Sequence, residues 1–210
     1  MKNKVLSMLN KKKTTDAVIP KKGLVICHIG DGKGKTTAAM GIAARASGAG
    51  LNVYILQFVK AKKKETRESG EWPLSNEIEF FNKIKIPKDM GQIVTDQVGQ
   101  GFVGILGDRK QRDAHQREAL NGLEMARNIL LKNEYQVVIL DEILSAVELD
   151  LLNEQDILDL IAIKPEMTHL VITGHEKRKA IVKVCDLVTD MKLVKHPYYK
   201  GVLAQRGIDF

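Results

Sequence analysis

The 210-residue sequence predicts an α/β fold: a single doubly wound, mostly parallel sheet of about six strands that carries a phosphate loop. Three observations predict it. Apolar runs rich in β-branched residues alternate with stretches of helical periodicity. The first such run ends in a Gly/Lys-rich turn that opens a helix, the context a phosphate loop of the RecA-like or Rossmann-like kind requires. A later run, "VVILDE", ends in two acids at the carboxyl end of a strand, where such sheets bind ligands.

Residues 1–22 form a basic leader. "MKNKVLSMLNKKK" puts Val5, Leu6, Met8 and Leu9 on one helical face, too short a helix to stand alone in water. The remainder, 23–210, reads as one domain without internal repeats. "GLVICHIG" (23–30) suits a strand buried on both faces. "TTAAMGIAARA" continues as a helix of small residues, with Gly48 near its end. "LNVYILQFVK" (51–60) is a second strand. Residues 60–77 are polar and form a surface excursion, and "IEFF" (78–81) is a short third strand. From 82 to 107 no periodicity is visible, which marks a functional loop or disorder. Residues 108–133 form a long helix with Ala114, Leu120, Leu123, Ala126 and Leu130 turned inward. "YQVVILDE" (135–142) and "HLVITGH" (169–175) are strands, and the helix "EKRKAIVKVC" and the strand-like "DLVTDMKLV" follow.

Composition excludes several classes. Two cysteines, Cys27 and Cys185, in segments that read as buried argue for a reducing cytoplasm and against a disulfide framework or metal cluster. No apolar run approaches the roughly 20 residues that span a bilayer, so no membrane partner is expected. The net charge of +7 sits in the leader, whose seven lysines against Asp16 alone give +6 and leave +1 for the body. A charged tail on a nearly neutral body does not point to nucleic acid.

The loop "GDGKGKTT" is one residue shorter than G-x-x-x-x-G-K-[ST]. In such a loop, successive backbone N–H groups from Gly30, Asp31, Gly32, Lys33, Gly34, Lys35, Thr36 and Thr37 form an anion site at a helix N-terminus. Lys35 supplies an ammonium to the terminal phosphates, Lys33 adds a second cation, and Thr36 offers a hydroxyl to Mg²⁺. Asp141 or Glu142 holds the same ion directly or through water. An acid at Asp31 must turn outward or cap the helix. Arg45 is either a structural partner for an acid or a nucleotide contact. These residues specify a magnesium–nucleotide site and leave the reaction open.

"GDGKGKTTAAMGIAARASGAG", "VYILQFVK", "VVILDE", "LVITG" and "VKHPYYKGVLAQRGIDF" follow one another as in the ATP:corrinoid adenosyltransferases, and the chain resembles that family over about 23–210. The resemblance implies transfer of the 5′-deoxyadenosyl group of ATP to the Co(I) centre of a corrinoid, either cobalamin or a precursor such as cobyrinic acid a,c-diamide, with release of triphosphate. It implies that the triphosphate lies reversed in the loop and that Lys33, Lys35 and Thr36 stabilise it as a leaving group. It implies Mg²⁺ on Thr36 and Glu142, a homodimer in which an N-terminal helix covers a corrinoid site, and a flavoprotein reductase as a candidate electron source. An ATPase or small-molecule kinase that cleaves the γ-phosphate is the alternative.

Three departures from the family's pattern stand out. The family's F-x-W beneath the corrin ring is "GFVGILGD" here, with Phe102 matching and Gly104 in place of Trp. "TGH" replaces the frequent "TGR", so His175 stands where a fixed charge is common. Asp31 replaces an Asn. His196, in "VKHPYY", lies beside Tyr198 and Tyr199 in a turn that can line a ring-sized pocket. Lys60, Lys62, Lys63 and Lys64 form a solvated loop or steer anionic groups. His28 reads as packing in the sheet, and His115 as a helix residue without a metal partner.

Overall fold

The computed structural model describes residues 22–59, 75–99 and 112–208. Six strands form one sheet: β1 (Val25–Ile29), β2 (Val53–Gln57), β3 (Ile93–Gln97), β4 (Val137–Asp141), β5 (His169–Thr173) and β6 (Leu187–Asp190). Their order is β3-β2-β4-β5-β1-β6, and every pairing is parallel. The central strands are buried on both faces because parallel strands need a covering layer on each side. Alternation shows this in β2: Tyr54 and Leu56 join one apolar cluster, and Val53 and Ile55 join the other.

Helix α1 (Lys35–Gly48) covers the second cluster with Ala39, Met40, Ala43 and Ala46, whose small side chains let it lie close to the sheet. Helix α2 (Asn76–Lys83) joins the same side through Ile78 and Phe81. The opposite face is covered by α3 (Arg112–Lys132), α4 (Ile143–Glu148), α5 (Glu154–Ile163) and α6 (Lys179–Val184). Each fully buried Leu or Ile here, such as Leu130, Leu140, Ile157 and Leu160, contributes roughly 1.5–3 kcal/mol.

The structure corrects three expectations. "IEFF" is part of α2, not a strand. Its apolar residues serve a helical stripe, with Ile78 and Phe81 buried while Phe80 is exposed. The third strand lies instead inside 82–107, at Ile93–Gln97, an edge strand whose buried and exposed residues alternate. On α3 the inward stripe is His115, Ala119, Gly122, Leu123, Ala126 and Leu130, whereas Leu120 is exposed and Ala114 only half-buried. Gly122 sets this rotation, because a Cβ there would lie 2.5 Å from Val98 Cγ2 and 2.7 Å from Phe58 Cε1. The helix and strand expected after 175 are shorter than the runs suggested, and Cys185, at the end of α6, is half-buried.

Candidate nucleotide site

The loop between β1 and α1 is pinned to its neighbours by backbone bonds. Gly30 N–H donates to the His175 carbonyl at 2.9 Å, just past β5, and Gly32 N–H donates to the Met191 carbonyl at 2.7 Å, just past β6. Met191 N–H returns to the Ile29 carbonyl at 2.7 Å. This closeness demands glycine. A Cβ on Gly32 would meet Met191 O at 2.6 Å, and one on Gly30 would meet it at 2.5 Å. Gly34, which precedes the helix, has φ 106°, a conformation that disfavours any L side chain.

Within α1 the first backbone bond is Ala38 N–H to Gly34 C=O, 2.8 Å. The amides of Lys35, Thr36 and Thr37 come before it and have no intrahelical acceptor, so they point out of the positive end of the helix. Lys35 is buried, and its ammonium donates to the carbonyls of Gly30 (2.6 Å) and Gly32 (3.0 Å). The cation therefore lies inside the loop. Asp31 is turned outward and caps nothing, and Lys33 is also exposed.

Below the loop is a row of polar residues on the α1 side of the sheet. Register aligns Gln97, Gln57 and Asp141 across β3, β2 and β4, with Thr173 and His28 continuing it on β5 and β1. Asp141 is fully buried, and each of its donors is a side chain. Thr36 Oγ1 donates at 3.0 Å, Thr173 Oγ1 at 2.8 Å and Gln57 Nε2 at 2.9 Å. Gln57 Oε1 in turn accepts from Gln97 Nε2 (2.7 Å) and Ser75 Oγ (3.0 Å). A buried carboxylate is tolerated only when its lone pairs are filled in this way.

Glu142 follows with φ 60° at the start of α4, and its N–H donates to Thr173 Oγ1 at 2.8 Å. Its carboxylate accepts a hydrogen bond from Ser145 Oγ. Ser145 Oγ also lies 3.3 Å from His175 Nδ1, which is 3.8 Å from Glu148 Oε2. The glycine loop, with a buried lysine inside it, thus stands beside two carboxylates, one tied to Thr36.

Two comparisons with known proteins bear on this arrangement. The family described as ATP:corrinoid adenosyltransferase BtuR/CobO/CobP matches residues 21–210. The chain belongs to the ATP:corrinoid adenosyltransferase family. It is 33% identical over 189 residues to a corrinoid adenosyltransferase of Pseudomonas aeruginosa, a span covering 90% of this chain and 84% of the relative. Similar relatives are the corrinoid adenosyltransferases of Sinorhizobium, 32% identical over 90% of this chain and 81% of theirs, and of Escherichia coli K12, 30% identical over 90% and 86%.

In this member of the adenosyltransferase family, the fold brings Gly30, Gly32, Gly34, Lys35, Thr36, Thr37 and Asp141 together, with Glu142 adjoining. It does not bring Arg45 to the loop. That residue is exposed in the last turn of α1, about 15 Å along the axis from Lys35. His196 Nδ1 accepts from Tyr198 N–H at 3.1 Å and so caps the 3₁₀ turn Pro197–Lys200, with the exposed rings of Tyr198 and Tyr199 near it. Phe102, Gly104, Lys60, Lys62, Lys63, Lys64 and the leader through residue 21 lie outside the described residues. Sequence reasoning missed Gln57, Thr173 and Ser145. Gln57 left a trace, as a polar residue inside the apolar run "VYILQF".

Proposed function

We propose that Gly30–Thr36 grips the triphosphate of ATP while the Co(I) centre of a corrinoid attacks the 5′ carbon of the ribose. The cobalt–carbon bond forms as the C5′–O bond breaks, and triphosphate leaves with the electron pair. The observation that carries the nucleotide site is the cradle itself, a buried lysine ammonium inside the loop beside three helix amides without intrahelical acceptors. The family supplies the acceptor class. Lys35 exchanges the Gly30 and Gly32 carbonyls for phosphate oxygens, and the amides of Lys35, Thr36 and Thr37 fix the leaving group in line. Lys33, exposed at the rim, adds positive charge from solvent. No protein nucleophile is required, because the corrinoid supplies it.

A hydroxyl and two carboxylates are hard oxygen donors, and Mg²⁺ characteristically takes one or two such groups together with phosphate oxygens. The donor set fits that ion. Asp141 already accepts from Thr36, Gln57 and Thr173, so Thr36 and Glu142 would be the residues that hold Mg²⁺. When bound, it neutralises charge on the departing triphosphate.

We further propose that Phe102, Gly104 and His196 face the corrinoid, that the enzyme is a homodimer taking electrons from a flavoprotein reductase, and that it works in the cytoplasm. Two free thiols support a reducing compartment, and no helix among the described residues is long and apolar enough to cross a membrane. ATP supplied with a chemically reduced corrinoid tests the reaction. An adenosylated corrinoid and one equivalent of triphosphate are expected. ADP without an alkylated corrinoid would overturn the reading in favour of γ-phosphate cleavage.

A further inference from the structure

We infer that Gln57 is a positioning residue for the threonine of the phosphate loop, acting through Asp141. This rests on the reading of the loop as a nucleotide site. The amide of Gln57 is fully buried, and its orientation is dictated by what surrounds it. Its oxygen accepts from Gln97 Nε2 at 2.7 Å and from Ser75 Oγ at 3.0 Å, so its nitrogen must face the acceptor-only Asp141 carboxylate, 2.9 Å away. A flipped amide would set nitrogen against nitrogen on one side and oxygen against carboxylate on the other.

The consequence reaches the loop through one oxygen atom. Asp141 Oδ2 accepts both from Gln57 Nε2 and, at 3.2 Å, from Thr36 Oγ1, while Oδ1 accepts from Thr36 at 3.0 Å and from Thr173 at 2.8 Å. Gln57 and Thr173 therefore hold the carboxylate from two sides, and the carboxylate fixes the rotation of the Thr36 hydroxyl. With its proton committed to Asp141, Thr36 keeps its lone pairs for a cation shared with the nucleotide. Gln57 touches neither nucleotide nor cation. Its anchors come from two further elements, the end of β3 (Gln97) and the residue that precedes α2 (Ser75).

The test is binding of ATP to the full chain, with Mg²⁺ and in EDTA, for Gln57→Met, Thr36→Ala and the double variant. Gln57→Met keeps the volume and removes the polar link. Losing a hydrogen bond to a buried charge predicts MgATP affinity weakened about 10- to 100-fold, with affinity in EDTA changed less than about twofold. In the Thr36→Ala background Gln57→Met should have no further effect, because its target is gone. Equal losses with and without Mg²⁺, or additive losses in the double variant, would show Gln57 to be only a buried structural amide. If Gln57→Met fails to fold, Gln57→Asn keeps the polarity but cannot span Asp141 and Gln97 together, and must show the same Mg²⁺-selective loss. Lys35→Ala separates the two readings. If it binds ATP like the parent, the loop is not the nucleotide site. If it loses ATP while Gln57→Met keeps MgATP, only the positioning role falls.

Discussion

Replacing the three loop glycines with alanine one at a time separates two causes that act together in the native loop. At Gly34 the cause is conformational alone. Its φ is 106°, yet the nearest atom to an added Cβ is Met191 Sδ at 3.8 Å, an ordinary contact. Gly34→Ala should therefore cost only backbone strain, about 1–3 kcal/mol. At Gly32 the cause is steric. Backbone atoms Met191 O, Lys192 C and Lys192 O would lie at 2.6, 2.9 and 3.0 Å, and none is the yielding end of a side chain. Restoring ordinary contact means moving the end of β6 by several tenths of an ångström. That stretches the 2.7 Å bond from Gly32 N–H to Met191 and costs about 1–3 kcal/mol. Gly30 carries both penalties, with φ 110° and Met191 O at 2.5 Å, so Gly30→Ala should cost about 2–6 kcal/mol, near the sum of the other two. Urea unfolding monitored by circular dichroism measures each difference. Gly34→Ala as the most damaging of the three, or Gly32→Ala as stable as the parent, would refute this division of strain and steric cost.

Two other outcomes follow from buried groups elsewhere. His28 is buried with no hydrogen-bond partner on either ring nitrogen among the described residues, and burial holds its imidazole below the ordinary 6.5. The unfolded chain therefore binds the proton first, and stability should fall as pH drops from about 6.5 toward 5; His28→Phe should flatten that slope and add about 1 kcal/mol at neutral pH, and an unchanged slope would refute it. Cys27 is pushed up and Cys185 pulled down by the hydrogen bond between their thiols, so the native protein should react with one equivalent of a thiol reagent at Cys185 and expose Cys27 only on unfolding; mass analysis finding Cys27 modified first would reverse the assignment.

What was legible in the sequence followed burial. Strands β1, β2, β4 and β5 announced themselves as apolar runs because each is covered on both faces. β3 did not, since "IVTDQ" lies at a sheet edge and mixes polar with apolar residues. "IEFF" misled because two aromatics next to an isoleucine satisfy a strand pattern as readily as one turn of an amphipathic helix, and only the burial of Ile78 and Phe81 together separates them. In the candidate site, Lys35 and Thr36 were legible from the local spacing of the loop, and Asp141 and Glu142 from their place at the end of an apolar run. The role of Gln57 was not, because it depends on the register of three strands that the chain visits at separate times. Nor could sequence show that Asp141 is consumed by side-chain donors while Glu142 is held by Ser145.

The brace at Met191 gives the site a birth order. β1 and the loop are synthesised early, but the strand that props the loop follows about 160 residues later. β1 also lies in the sheet between β5 and β6, both late in the chain. A nascent chain on the ribosome therefore carries the loop residues through most of translation without the surface that shapes them. Loop closure of that length is slow relative to the local helices around it. On the proposed reading of the loop, nucleotide binding becomes a report on completion: a chain stalled before β6 has every loop residue but should not hold a triphosphate.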